Sequence, residues 1–212
     1  MSIRHILAGL TVSLAVALTV PGAAVAQTVQ DGLEAYNRGD VAEAVAIWQP
    51  LSEAGDAKAR FNMGLMYEQG LIVPQDYVEA ARLYRLAADQ GVPEAHYNLA
   101  SLTYYGQGMA SDRAEAARLF RLAADQGLAE AQVNLGVLYT IGHGVEQDDT
   151  QAAQWFRLAA DQGHPQGQYF LGKMYLNGWG VPLDAAEARR LYRLAADQGH
   201  EGAIEALRSL DP

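Results

Sequence analysis

The seven residues Arg-Leu-Ala-Ala-Asp-Gln-Gly occur four times, at 85–91, 121–127, 157–163 and 193–199, each copy 36 positions after the last. A period of that length suits a unit of two helices and a turn. Such a unit cannot bury its apolar face alone, so its copies must stack into a one-dimensional array. Aligned on Gly55, Gly91, Gly127, Gly163 and Gly199, each unit reads as helix A, a glycine-rich turn and helix B. The expected fold is all-α: one continuous solenoid of helix–turn–helix repeats over residues 27–212, with no linker or second domain. Its units are a partial one at about 28–55, full ones at 56–91, 92–127, 128–163 and 164–199, and a capping helix over 200–212.

In helix A, Ala59/Ala95/Ala131/Gly167, Met63/Leu99/Leu135/Leu171 and Gly64/Ala100/Gly136/Gly172 form columns spaced by three and four, which is one buried stripe. The last column is small, which predicts close approach of two backbones. Helix B opens on Asp40, Asp76, Asp112, Asp148 and Asp184, followed three residues later by Glu43, Glu79, Glu115, Gln151 and Glu187. This is an acidic form of the capping box. Glu79, Arg82, Arg85 and Asp89 share a solvated face and predict an Arg85–Asp89 type of ion pair, while Leu83, Tyr84, Ala87 and Ala88 face inward. Gly91 suits a helix end, and Pro93 and Pro165 suit the following helix start. The repeated heptapeptide is therefore read as structural carpentry. The first unit is shortened, and Arg208 fills the small column, where its bulk prevents a further helix B from docking. That marks a terminal cap and predicts a monomer.

"NMGLMYEQGLIVPQDYVEAARLYRLAADQG" and "VNLGVLYTIGHGVEQDDTQAAQWFRLAADQG" resemble Sel-one-like repeats (SLR), relatives of tetratricopeptide repeats. The carrying features are the Asn-Leu-Gly-x-Leu-Tyr run, the Gly-x-Gly-Val turn, the Asp before helix B and the closing Ala-Ala-x-Gln-Gly. The resemblance runs from about Gly32 to Ser209 and departs at Leu71-Ile72, Thr103 and Phe170. It implies a right-handed α-solenoid and an adaptor that holds other proteins on its superhelical surface. A secreted branch of the family is associated with penicillin binding and β-lactamase activity. That branch staples each unit with a disulfide, and this chain has no cysteine.

Composition narrows the partner. The net charge is −10, or −11 without Arg4, which opposes nucleic acid and anionic lipid. The lack of cysteine excludes thiol catalysis and Cys-ligated zinc. Residues 1–26 read as a signal peptide: Arg4 and His5, an uncharged apolar run from Ile6 to Val20, Pro21-Gly22, then Ala24-Val25-Ala26. Cleavage is expected between Ala26 and Gln27, giving a periplasmic or secreted protein with no stable membrane insertion.

A search for chemistry finds no catalytic residue, cofactor site or metal site. His96, His143, His164 and His200 make no zinc-protease spacing. His143 lies near Glu146, Asp148 and Asp149 but reads as a turn residue. "GQG", "GHG" and "GWG" lack the rest of a phosphate loop and read as turns, and Arg38-Gly39-Asp40 joins two helices. Ser52, Ser101 and Ser111 have no sequence-placed partners.

Binding residues are expected instead. By analogy with tetratricopeptide repeats, the concave A-helix groove is lined by Phe61, Leu65 and Glu68, by Tyr97, Ser101 and Tyr104, by Val133, Val137 and Thr140, and by Tyr169, Lys173 and Leu176. These positions change from unit to unit, and Phe61, Tyr97, Tyr104 and Tyr169 form an aromatic track for a protein or peptide segment. Asn62, Asn98 and Asn134 are candidates to hold a ligand's backbone. The expected function is a non-catalytic protein–protein scaffold of the cell envelope. The alternative, which rests on the disulfide-rich relatives, is a periplasmic hydrolase of β-lactam or cell-wall substrates.

Overall fold

The computed structural model describes residues 27–71 and 73–210; the segment 1–26, on which the export expectation rests, and residues 72, 211 and 212 lie outside it. Every element among the described residues is an α-helix: α1 (Val29–Asn37), α2 (Val41–Glu53), α3 (Ala57–Gln69), α4 (Tyr77–Ala88), α5 (Pro93–Tyr105), α6 (Arg113–Asp125), α7 (Ala129–Ile141), α8 (Asp149–Asp161), α9 (Pro165–Asn177), α10 (Ala185–Asp197) and α11 (Glu201–Leu210). The odd-numbered helices are the A helices and the even-numbered ones the B helices. Packing runs chiefly between helices consecutive in the chain, and α7 also touches α9, so A helices meet across units. The result is an all-α solenoid.

The core shows why the repeated pattern is strict. Tyr84, Phe156 and Tyr192 of the B helices are buried against Gly64, Gly136 and Gly172. A Cβ on those glycines would come within 2.6, 2.6 and 2.8 Å of the ring. The small column thus makes room for aromatic rings, not for backbone against backbone as the pattern suggested. Close backbone approach occurs at Gly167, where a Cβ would lie 3.0 Å from the amide nitrogen of Ala160.

The capping aspartates behave as their spacing predicts. Asp76, Asp112, Asp148 and Asp184 each accept the backbone amides two and three residues on, at 2.9–3.0 Å. The glutamate half of the box is redirected, since Glu79, Glu115 and Glu187 bind Arg82, Arg118 and Arg190, at 2.6, 2.7 and 2.7 Å. These i, i+3 pairs occupy the face where Arg85–Asp89 pairing was expected. The reciprocal box forms at α1, between Thr28 and Asp31.

Within the heptapeptide, arginine and glutamine bridge helices. Arg121 and Arg157 lie over the rings of Tyr139 and Tyr175, 5.6 and 5.7 Å from the centroids, and donate to the phenol oxygens. Gln90 and Gln198 donate to the carbonyls of Gly55 and Gly163, one unit back, at 3.2 and 2.9 Å. The alanines pack, and the glycine ends the helix. In the Gly-x-Gly turns, Gly144 and Gly180 have φ of +76° and +63°, and a Cβ on either would overlap the backbone of Arg113 or Asp149 in the preceding unit. The turn glycine is therefore required twice over, by its left-handed conformation and by the stacking of units.

At the ends, α1 has nine residues where the full A helices α3, α5, α7 and α9 have 13. Trp48 covers Gly32 there and donates to the Val29 carbonyl at 3.1 Å. Helix α11 docks on α10, with Arg208 exposed.

Candidate binding groove

Helices α5, α7 and α9 present the residues between which two adjoining clefts open. The first, of about 330 Å3, is lined by Tyr97, Ser101, Tyr104 and Tyr105 of α5, Phe120 of α6, and Asn134, Val137, Leu138 and Ile141 of α7. The second, of about 160 Å3, is lined by Val137, Thr140 and Ile141, by Phe156 of α8, by Phe170, Lys173 and Met174 of α9, and by Trp179. Val137 and Ile141 belong to both, so the clefts are consecutive compartments of one groove.

Hydrogen bonds hold the first compartment in shape. Asn134 Nδ2 donates to the Tyr97 hydroxyl at 3.3 Å, and Ser101 Oγ donates to the Tyr97 carbonyl at 3.2 Å. The Tyr104 hydroxyl and His143 Nδ1 are hydrogen-bonded at 2.8 Å, which ties the turn after α7 to α5. Tyr97 packs edge-on to Phe120, 5.5 Å between centroids. The second compartment is almost wholly apolar, with Phe156 and Phe170 stacked at 5.0 Å and Lys173 as its charged member.

The sequence-predicted residues divide into two groups. Tyr97, Ser101, Tyr104, Asn134, Val137, Thr140 and Lys173 come together around the clefts. The remainder are engaged elsewhere. Phe61 packs 5.8 Å from Tyr84, Leu65 lies against the core, and Glu68 accepts the Tyr84 hydroxyl at 2.5 Å. Burial, and then that carboxylate, push the Tyr84 hydroxyl well above its ordinary pKa. Tyr169 stacks on His200 at 4.6 Å, where it supports the terminal cap, and the Lys173 ammonium lies 5.8 Å from its ring centroid. Beside it, burial and the Tyr169 phenol push the Tyr192 hydroxyl up to about 12. Val133 and Asn62 are buried, and Asn98 lies beside the Tyr84 hydroxyl.

Sequence reasoning missed the groove's rim. Tyr105, Ile141 and Trp179 are 72%, 47% and 43% exposed, three of the exposed large apolar side chains among the described residues, and these three gather at the clefts. Tyr105 and Ile141 follow a groove column directly, at a helix end, where the Tyr105 ring meets only the edge of Tyr104, 5.1 Å between centroids, and stays largely in solvent. Trp179 occupies the middle of a Gly-x-Gly turn whose other members are Gln107 and His143. That variable slot inside a constant turn was the available signal.

Among the described residues, no group of three or more His, Cys, Asp or Glu is placed to hold a metal ion, and no helix is long and apolar enough to cross a membrane.

Four consecutive segments, 57–92, 93–128, 129–164 and 165–200, match the family model of the Sel1 repeat. No curated protein matches the chain. Among solved structures it is similar to a Sel1 repeat protein from Oxalobacter formigenes, with 33% identity and a TM-score of 0.79 over 86% of this chain and 76% of that one. It is also similar to a sel1 repeat protein from Klebsiella pneumoniae, at 22% identity and a TM-score of 0.55 over 85% and 90% of the two chains. An immunity protein from Pseudomonas aeruginosa is similar at 24% identity, with a TM-score of 0.53 over 86% and 74%. The last two likenesses bear on the fold alone.

Proposed function

The chain belongs to the Sel1 repeat family, whose members are generally protein-interaction scaffolds, and from that premise we propose that it receives a protein or peptide segment on its A-helix face without catalysing a reaction. The observation that carries this reading is the groove of α5, α7 and α9, whose rim keeps Tyr105, Ile141 and Trp179 in solvent. Exposing large apolar side chains to water is unfavourable by roughly 25 cal/mol per Å2, and a partner that covers them recovers that energy. Export to the cell envelope as a monomer, with residues 27–212 forming one solenoid, completes the proposal; the Ala24-Val25-Ala26 stretch and the exposed Arg208 support it.

The test is photo-crosslinking from position 105 in cells, with the captured protein followed in an Ile141→Glu/Trp179→Ala variant and in a Leu194→Glu control on a B helix. Capture lost in the groove variant and kept in the control is expected. Equal capture by all three would refute the groove. The mature N-terminus, read by mass spectrometry, should be Gln27; an uncut chain would refute the export reading.

A further inference from the structure

We propose that the second compartment of the groove binds a small aromatic monocarboxylate, a single ring with one carboxylate on a short arm. The ring lies against the apolar walls and the carboxylate meets Lys173. This goes beyond the scaffold reading and does not rest on it, because it concerns what the isolated protein binds.

An unpaired charge is the first argument. Lys173 is half-buried and lines the compartment, where the other lining residues are uncharged. Its ammonium lies 5.8 Å from the Tyr169 centroid, and among the described residues no carboxylate pairs with it. The chain has 25 acidic residues against 15 basic ones, so this cation stands alone amid a surplus of partners. Arg82, Arg118 and Arg190, on open helix faces, each hold a glutamate. A cation beside apolar walls loses hydration, and a counter-charge offsets the loss. Packing does not require the lysine, since the other units have Leu65, Ser101 and Val137 in its column. The chain's net charge of −10 opposes a second carboxylate on the ligand.

The walls are the second. Val137 and Ile141 of α7, Phe156 of α8, and Phe170 and Met174 of α9 form them, with the partly exposed Trp179 beside. Phe156 and Phe170 are stacked at 5.0 Å, and aromatic rings and a thioether together favour an aromatic ligand over an aliphatic one. The volume of about 160 Å3 matches a single ring, since a cavity of roughly 150 Å3 accommodates benzene.

Hydrogen-bond complementarity is the third, and it selects a free acid over a peptide. The Thr140 hydroxyl donates to the Gly136 carbonyl at 3.0 Å, which leaves Lys173 and the Trp179 indole as the side chains there with hydrogens to donate. An ionised carboxylate is acceptor-only and needs donors alone. A peptide laid against the same walls would also bring backbone N–H groups, and the Thr140 oxygen is the one side-chain acceptor to receive them. Peptide groups desolvated without partners oppose binding.

The experiment is calorimetric titration of the purified protein with phenylacetate at pH 7. One saturable site is expected, with benzyl alcohol, which keeps the ring and loses the charge, at least tenfold weaker. Lys173→Met should weaken phenylacetate at least tenfold while its thermal unfolding midpoint stays at the parent's. Lys58→Met, at the chain's other lysine, exposed on α3, should leave binding unchanged, and Trp179→Ala should weaken it. Equal binding of phenylacetate and benzyl alcohol, indifference to Lys173→Met, an equal loss in Lys58→Met, or no saturation at millimolar ligand would each overturn the proposal. So would acetyl-Gly-Gly-Phe binding at least tenfold more tightly than phenylacetate, since the occupant would then be the end of a protein chain. These failures are separable from failure of the scaffold reading: groove-dependent crosslinking that persists while phenylacetate fails condemns only the small-molecule site.

Discussion

Arg85 and Arg121 stand at the same place in identical heptapeptides, yet their neighbours differ. Arg121 lies over the rings of Tyr139 and Trp155 and donates to the Tyr139 phenol. Eighteen residues after Arg85 the chain has Thr103, whose hydroxyl turns inward to the Leu99 carbonyl at 2.7 Å. Arg121→Ala should therefore destabilise the fold by about 1–2 kcal/mol, since a partly desolvated cation–π contact and a hydrogen bond are lost together. Arg85→Ala should stay within about 0.5 kcal/mol of the parent. Urea unfolding of both variants measures the difference, and Arg121→Lys should recover little, because a compact ammonium cannot stack and donate at once. None of this was legible in the heptapeptide, because the deciding residue sits on the next helix. Gly144→Ala is a second residue-scale prediction. Overlap with the Arg113 backbone and a φ of +76° together should cost at least about 1–3 kcal/mol in the same assay. A loss below about 0.5 kcal/mol would mean that the units slide to accommodate it.

Each helix B is an element started by one carboxylate and braced by another. Asp112 satisfies the amides of Ala114 and Glu115, both at 3.0 Å, so Asp112→Ala should cost about 0.5–2 kcal/mol in thermal or urea melts. This half of the design was readable, because cap and amide lie within three residues and local chain geometry decides the contact. The other half was not, because the side chain of Glu115 chooses between its own cap amide and Arg118, and the arginine wins. The hydrogen bond from Arg118 holds the Glu115 carboxyl below its ordinary value of 4.5, and Arg190 does the same for Glu187. A depressed folded-state pKa contributes stability above the unfolded value that is lost as pH falls through the folded one. The contribution should thus be whole at pH 7 and fade below about pH 4.5. Both pairs are solvated, so Glu115→Gln with Glu187→Gln should lower stability by only about 0.3–0.5 kcal/mol per pair at pH 7, and by nothing measurable near pH 2. Urea midpoints at the two pH values test this.

For the whole molecule, the period that announced the fold also hides the groove. Columns repeated without change are those that pack, and their burial follows from spacing alone. The exposure of Tyr105, Ile141 and Trp179 depends instead on how successive A helices are offset, which no per-residue periodicity carries. Phe61 and Tyr169 show the same limit in reverse, since both share columns with groove residues but are drawn into packing by Tyr84 and His200. Because packing is mainly between neighbours, deleting residues 93–128 should leave a folded solenoid of unchanged helicity per residue, with a lower melting temperature and without the α5–α7 cleft. Circular dichroism followed through thermal unfolding reads the helicity and the melting temperature. The glutamine clamps from Gln90 to Gly55 and from Gln198 to Gly163 fasten two of the units to the one before them, and packing runs chiefly between consecutive helices. Under tension applied at its ends the molecule is therefore a chain of links in series. Each link that parts frees 36 residues, about 120–130 Å of slack, while the unbroken links still bear the load.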